Sequence, residues 1–295
     1  MKKLAMTLVT AMLAMAMMTG CGTKEEVKTE EAAATTEETV VTEEATVEET
    51  ATEEAVAVGT SKEGVMVMGF DASFPPYGYT DDNGEYVGFD IDLAKEVAAR
   101  LGVELELQPI DWDAKDMELS AGTIDCIWNG FTINGREDDY TWSDPYVDNS
   151  QVFVVTKESG IATHADLAGK TVTVQAGSSA LAALESEDGL ALKDSFKELV
   201  EVADYNTAFM NLEAGACEAV AMDIGVADFQ MESRDGEYVI LEEALASEMY
   251  GIGFLLGNET LRDNVQAKLN EMAEDGTFME IATTWELQDS VTLGK

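Results

Sequence analysis

The chain is short of the residues on which most catalytic and nucleic-acid chemistry depends. Its 295 residues include one histidine and three cysteines, and 17 lysines plus arginines stand against 59 aspartates plus glutamates, a formal net charge of −42. So few cations cannot neutralise a phosphate backbone, which argues against nucleic acid as a partner and disfavours non-specific adhesion to anionic lipid. The lone histidine, His164, sits in "ATHADLAGK", the pattern of a surface helix start, so histidine-based acid–base catalysis is not expected. GxSxG, HExxH, CxxC and EF-hand patterns do not occur, and no spacing among the many carboxylates singles out a metal site. No cofactor or metal is expected. Beyond the N-terminus there is no apolar run of 18 or more residues, so no other segment reads as a membrane span.

The N-terminus reads as an export signal over residues 1–20. Lys2 and Lys3 precede an apolar stretch from Leu4 to Met18, then the small residues Thr19 and Gly20. Met18-Thr19-Gly20-Cys21 resembles a bacterial lipobox, which makes Cys21 the expected site of lipidation. An ordinary secretion signal containing a cysteine is the alternative, and either reading exports the protein. Cys126 and Cys217 could then pair, but each lies in an apolar segment where a free cysteine behaves as a small hydrophobe.

From residue 21 to 63 the composition shifts to Glu, Thr, Ala and Val, with recurring glutamate pairs and no aromatic residue. Such a stretch buries too little apolar surface to offset its ordering entropy, and like charges extend it. We read it as a disordered acidic tether. The region from 64 to 295 still carries 46 acidic against 12 basic residues. Each of its four arginines is therefore of interest.

Strand-like and helix-like patterns alternate along this region. "GVMVMGF" (64–70), "VELELQPI" (103–110), "IDCIWNGFTI" (124–133), "SQVFVVTK" (150–157), the start of "KTVTVQAGSSALAAL" (170–184) and "EAVAMDI" (218–224) read as strands. A helix follows Gly88, with Asp90 as candidate cap, apolar residues at 91, 94, 97, 98 and 101, and Gly102 as stop. The segment 259–276 is amphipathic and ends at Gly276. Alternation of this kind predicts an α/β protein with mostly parallel sheets. Ala121-Gly122 followed by Asp125 and an apolar strand is echoed by Ala214-Gly215, Glu218 and a second apolar strand. If that echo is structural, two similar units deliver residues at their strand ends, where ligands of open α/β sheets sit.

Several residues at those ends carry usable chemistry. Arg136 follows Thr132 in the loop after a strand, and a guanidinium can fork onto a carboxylate; pairing with Glu137, Asp138 or Asp139 is the plain alternative. "DASFPPYGY" places Asp71 at a strand tip and Phe74 before a stiff Pro75-Pro76, while Trp112 could form a facing wall. Gln175, Ser178 and Ser179 lie at a strand–helix junction, where unpaired N–H groups favour an anion. Asp223 ends an apolar strand, where it can meet an ammonium group or cap a helix.

Taken in order, these motifs resemble the bacterial extracellular solute-binding family 3, the amino-acid receptors of ABC transporters. The markers are Phe74-Pro-Pro-Tyr77, Gly88-Phe-Asp-Ile-Asp-Leu93, Asp111-Trp-Asp113, Gly122-Thr-Ile-Asp125, Gly130-Phe-Thr132 with Arg136, Ser143-Asp-Pro-Tyr146, Val174-Gln-Ala-Gly-Ser178, Ala219-Val-Ala-Met-Asp223 and Tyr250-Gly-Ile-Gly253, spanning roughly 64–288. The resemblance implies a two-lobed, periplasmic-binding-protein-like (type II) α/β fold with two crossover strands. Lobe 1 would span 64–153 and 248–295, lobe 2 would span 154–247, and the crossings would lie near 150–156 and 246–252. It implies that Arg136 and Thr132 grip the α-carboxylate of a free L-amino acid, polar or cationic, helped by backbone near Gly130 and by Ser178–Ser179. Asp223 would take the α-ammonium, Phe74 and Trp112 would sandwich the ligand, Asp71 would face its side chain, and Gln175 would stand at a further pocket position. Delivery to a membrane permease by a monomer, lipid-anchored to the outer face of the cytoplasmic membrane, would follow, without catalysis. The other functions compatible with the pattern are a cyclohexadienyl-dehydratase-like enzyme on the same fold and a ligand-sensing or structural surface lipoprotein. The loop between Thr132 and Ser143 is one residue shorter than is common in the family, and Asn134-Gly135 replaces the usual lead into the arginine.

Overall fold

Two long antiparallel strands, Val147–Thr156 and Ala246–Phe254, join the two flanks of a single sheet. The computed structural model describes residues 58–232, 234 and 236–295. The signal segment, Cys21 and the tether up to residue 57 lie outside the described residues. The sheet runs Glu198–Val202, Thr171–Gln175, Ala219–Asp223, Val147–Thr156, Ala246–Phe254, Cys126–Thr132, Val65–Phe70, Glu104–Pro109. Within each flank the three outer strands are parallel, and each long strand pairs antiparallel with the flank beside it. The chain thus crosses once through Val147–Thr156 and returns through Ala246–Phe254. In register, Ala246 faces Gln151, Glu248 faces Asn149 and Tyr250 faces Val147. No helix among the described residues is long and apolar enough to cross a membrane.

The strands form where β-branched and aromatic residues cluster, because those side chains suit a buried pleated surface. Val65–Phe70, Cys126–Thr132, Thr171–Gln175 and Ala219–Asp223 are buried along their whole length, as strands covered on both faces must be. Trp128, Phe70, Phe89, Tyr146, Phe254 and Phe278 fill one core, and Phe153, Val172, Val174, Leu184 and Ala221 fill another. Cys126 and Cys217 are both buried and unpaired.

The echo between Ala121-Gly122 and Ala214-Gly215 has a physical counterpart. The two helices Lys115–Ala121 and Tyr205–Glu213 end beside glycines with φ of 72° and 67°. The acid three residues after each glycine then accepts a backbone N–H from a neighbouring strand: Asp125 from Val67 at 2.7 Å, Glu218 from Thr171 at 2.8 Å. Asp125 also accepts from Ser61 N, while Asn264 and Asn258 hold the carbonyls of Val58 and Gly59. Residues 58–63, assigned above to the tether, are therefore hydrogen-bonded to the folded body.

Asp90 is a correction. The helix Phe89–Leu101 is preceded by Gly88 with φ of 142°, and Asp90 makes no cap bond. Its carboxylate is instead fully buried, accepting Gly130 N–H at 2.6 Å and Tyr146 O–H at 2.8 Å. Gly88 is required here because a Cβ would fall 2.2 Å from the carbonyl oxygen of Tyr77.

Candidate functional site

Two strands from each flank, parallel within their flank, reach the site: Asp71 follows Val65–Phe70, and Thr132, Gln175 and Asp223 end the other three. Their tips meet a narrow cavity lined by Phe74, Trp112, Gly130, Thr132, Gln175, Ser178, Ser179 and Asp223. Its free volume is about 10 Å³, close to that of one water molecule, so an amino acid enters only if the lining parts. Eight of the ten ligand contacts expected above line this cavity, and Asp71 and Arg136 stand behind it.

Arg136 donates from Nη1 to the carbonyl of Thr132 at 3.2 Å and to Ser179 Oγ at 3.0 Å, and from Nη2 to the carbonyl of Gly177 at 3.4 Å. Its guanidinium lies 5.2 Å from the Phe131 ring centre. The other arginines beyond residue 63 are all ion-paired: Arg100 with Glu96 and Asp275, Arg234 with Glu213, Arg262 with Asp263. Among the described residues no carboxylate lies within 4.0 Å of Arg136, so the local pairing with Glu137, Asp138 or Asp139 does not form. A second cation, Lys115, is 5% exposed and also lacks a carboxylate partner there. Its Nζ lies 3.3 Å from the Gly177 carbonyl and 5.3 Å from the Trp112 ring centre, and burial lowers its pKa. Within "DAKDMELSAG" nothing distinguishes it from a solvated helix residue.

The rings of Phe74 and Trp112 are nearly parallel, at 9°, with centres 6.5 Å apart. A flat group between them needs about 7 Å, twice the optimal carbon–carbon contact. The slot is a fraction of an ångström too tight for that. Gly130 sits under Phe74 with φ of 56°, where a Cβ would lie 2.8 Å from the Phe74 ring and 2.9 Å from that of Tyr250. Its N–H is taken by Asp90. Ser178 caps the helix Ser179–Glu185 by accepting from Leu181 N.

Gln175 donates to Asp71 Oδ2 at 2.7 Å and to the carbonyl of Ala203 at 3.0 Å. Burial pushes the Asp71 carboxyl up to about 6, opposed by the hydrogen bonds from Ser73 and Gln175. Beside it a hollow of about 410 Å³, sharing Trp112 with the cavity, is lined by Asp71, Asp111, Glu118 and Asp204.

Asp223 accepts four side-chain donors: Asn149 at 2.8 Å, Gln151 at 2.6 Å, Tyr250 at 2.5 Å and Tyr205 at 3.2 Å. No backbone N–H of the helix Ile224–Glu232 is among these donors. Next to it stands Glu248, which sequence reasoning missed, accepting from Thr132 Oγ1 at 2.8 Å, Asn149 at 2.6 Å and Gln151 at 2.7 Å. Desolvation, followed by the proximity of Asp223, raises the Glu248 carboxyl, and desolvation likewise raises that of Asp223. Glu248, Asn149 and Gln151 all come from the two long strands, where one more acid or amide in so polar a chain carries no sequence signal. Among the described residues no group of side chains is arranged to hold a metal ion.

The family model of bacterial extracellular solute-binding proteins, family 3, matches residues 66–288. The L-cystine-binding protein TcyJ of Escherichia coli (strain K12) is 28% identical over 227 residues, covering 76% of this chain and 83% of that protein. The arginine-binding extracellular protein ArtP of Bacillus subtilis (strain 168) is 27% identical over 223 residues, covering 75% and 85%. Among solved structures, an ABC uptake transporter substrate-binding protein from Streptococcus pneumoniae with bound histidine superposes with a TM-score of 0.74 at 35% identity, covering 78% of this chain and 95% of that one.

Proposed function

The chain belongs to the bacterial extracellular solute-binding proteins, family 3, and on that premise we propose that it captures one free L-amino acid between the two flanks of its sheet and delivers it to the permease of an ABC transporter. Relatives that bind cystine, arginine and histidine support a polar or cationic amino acid as the ligand. One observation carries the reading. Arg136, alone among the four arginines beyond residue 63, has no carboxylate partner among the described residues, and it touches Thr132 and Ser179 of the cavity that Asp223 also lines. The site therefore offers an unpaired guanidinium and a buried carboxylate, the complements of a zwitterion's two ends.

In this reading Arg136 and Thr132 grip the α-carboxylate, assisted by Ser178–Ser179, and Asp223 receives the α-ammonium; Gly130, whose N–H is held by Asp90, lines the cavity without donating to the carboxylate. Phe74 and Trp112 cover the ligand, while Asp71 and Gln175 meet its side chain. The acid-lined hollow beside Trp112 favours a side chain with a cationic or donor end. Binding proceeds without turnover. Lobe 1 (64–153 and 248–295) closes on lobe 2 (154–247) about the crossings near 150–156 and 246–252, and buried partners replace the water of the zwitterion. We further propose that residues 1–20 direct export and that Cys21 carries the lipid. The acidic tether then holds a monomer at the outer face of the cytoplasmic membrane.

A thermal-shift panel of the twenty amino acids with cystine and ornithine tests the reading. A cognate ligand at one hundred times its Kd adds about 2.7 kcal/mol of stability. A panel without any shift overturns it.

A further inference from the structure

At the cavity end assigned to the ammonium, Asp223 lines the cavity and a second carboxylate, Glu248, is tied to it and to Thr132 where one acid would serve. Asn149 Nδ2 and Gln151 Nε2 each lie within hydrogen-bond distance of both Asp223 Oδ1 and Glu248 Oε1, at 2.6–2.8 Å. The two acids are thus fastened side by side, 4% and 7% exposed. The ionisable groups around them offer no cation. Tyr77 from the loop after Ser73–Phe74, Tyr205 from the helix Tyr205–Glu213 and Tyr250 from Glu248's own strand face the pair, and burial holds each phenol well above its ordinary pKa, so all three stay neutral. Asp90 and Asp228, the further titratable groups near Tyr77, are acids and supply no cation. Arg136 is behind Thr132, turned toward Gly177 and Ser179, and no lysine or arginine nitrogen is within 4.0 Å of either acid among the described residues. Two buried like charges this close, with no counter-ion, cannot both be ionised cheaply.

Resting on the amino-acid reading of the site, we propose that Asp223 and Glu248 share one proton that is exchanged for the ligand's ammonium, and that Glu248 is the residue that couples capture to pH. The charge balances. The proton-sharing pair carries one negative charge, and the fully ionised pair holding an ammonium carries the same, with one proton released to solvent. Because the ammonium competes with the proton, affinity must weaken as pH falls through the titration of the pair. Thr132 takes part as well: its hydroxyl donates to Glu248, so it moves to the ligand carboxylate only by giving up that bond.

The test uses the whole chain and three probes, L-cystine, L-arginine and L-glutamine, none with a side chain that titrates between about pH 5.5 and 7.5. Calorimetric titration in two buffers of different ionisation enthalpy reads proton release, and Glu248→Gln, which retains an oxygen to accept from Thr132, is measured beside the wild type. Asp71 and Asp90, the other carboxyls raised beside the cavity, are the same in both proteins and cancel in the comparison. We expect the wild type to release close to one proton and to lose about tenfold in affinity per pH unit below the pair's titration. Glu248→Gln should bind the same probe with almost no proton release and a flat profile. Wild-type binding without proton release, or the same pH profile in both proteins, overturns this inference and leaves the amino-acid reading intact. If the wild type binds none of the three, the amino acid that shifts melting in the panel above replaces them, and a panel without any shift overturns both.

Discussion

Gln175 and Asp71 hold each other across the two flanks of the sheet, Gln175 Nε2 lying 2.7 Å from Asp71 Oδ2. One residue ends a strand of the second flank and the other follows a strand of the first, so the bond joins the strand tips just behind the cavity. Asp71 spends its other oxygen on Ser73 N–H at 2.8 Å.

That arrangement predicts how specificity responds to charge. Asp71→Asn keeps the shape but removes the negative charge that a cationic side chain would meet. A hydrogen bond to a charged group is worth about 1.5–3 kcal/mol, so arginine and lysine should lose roughly tenfold to one-hundredfold in affinity relative to glutamine. Calorimetry with the three ligands measures the ratio. An equal loss for all three removes Asp71 from contact with the side chain.

The buried acids predict the pH dependence of folding. Burial raises the carboxyls of Asp71 to about 6 and Asp90 to about 7, and those of Asp223 and Glu248 in the same direction. In the unfolded chain such groups titrate near 4. Between about pH 4 and 7 the folded protein therefore binds more protons than the unfolded one, and stability declines as pH rises through that window. The carboxyls held low, Asp275, Asp81 and Asp166, are ionised in both states above about pH 5 and contribute no slope there. The ligand-free protein should melt at a higher temperature at pH 5 than at pH 7.5. Asp90→Asn should flatten part of the slope at little cost, because Tyr146 O–H can rotate to accept from the new amide while the remaining oxygen keeps Gly130 N–H. A melting temperature that climbs over this range contradicts the assignment.

Much of this was legible because the responsible signals are local. Strand tips, the two Ala-Gly stops and the acids three residues later are set by backbone conformation within a few positions. The ordered motifs also carried seven of the cavity's eight lining residues, and Ser179 directly follows one of them. Glu248, Asn149 and Gln151 were not legible, since their meeting depends on the register of two strands about one hundred residues apart. Asp90 misled, and Lys115 drew no reading, for a related reason: in so acidic a chain, an aspartate at a helix start or a lysine beside acids has an adequate local explanation. Only tertiary burial reveals the other one.

Gly130 predicts a coupling between stability and binding. Its φ of 56° and the 2.8 Å and 2.9 Å approaches of Phe74 and Tyr250 leave no room for a methyl group. Gly130→Ala should cost about 1–3 kcal/mol of stability. Phe74, the movable neighbour, should shift and weaken ligand affinity with it. Thermal melting and calorimetry on the same sample check both effects. An alanine variant with native affinity means that Phe74 does not cover the ligand.

The last prediction separates binding from folding at Arg136. Its bonds run from the charged guanidinium to two neutral carbonyls and a hydroxyl, at 3.0–3.4 Å, so Arg136→Ala should lower ligand-free stability by about 1.5–3 kcal/mol and leave the protein folded. Binding should fall roughly thirtyfold to several-thousandfold, because the ligand carboxylate is left buried without its counter-charge; truncating one partner of such a pair costs about 2–5 kcal/mol. Arg136→Lys retains the charge but not the fork and should fall between wild type and alanine. Arg100→Ala supplies the control. It makes the same change in net charge, but Arg100 is already paired with Glu96 and Asp275, so native affinity should survive. If the Arg136 and Arg100 variants lose affinity alike, the effect is one of overall charge, and the guanidinium behind Thr132 is not the group that holds the ligand.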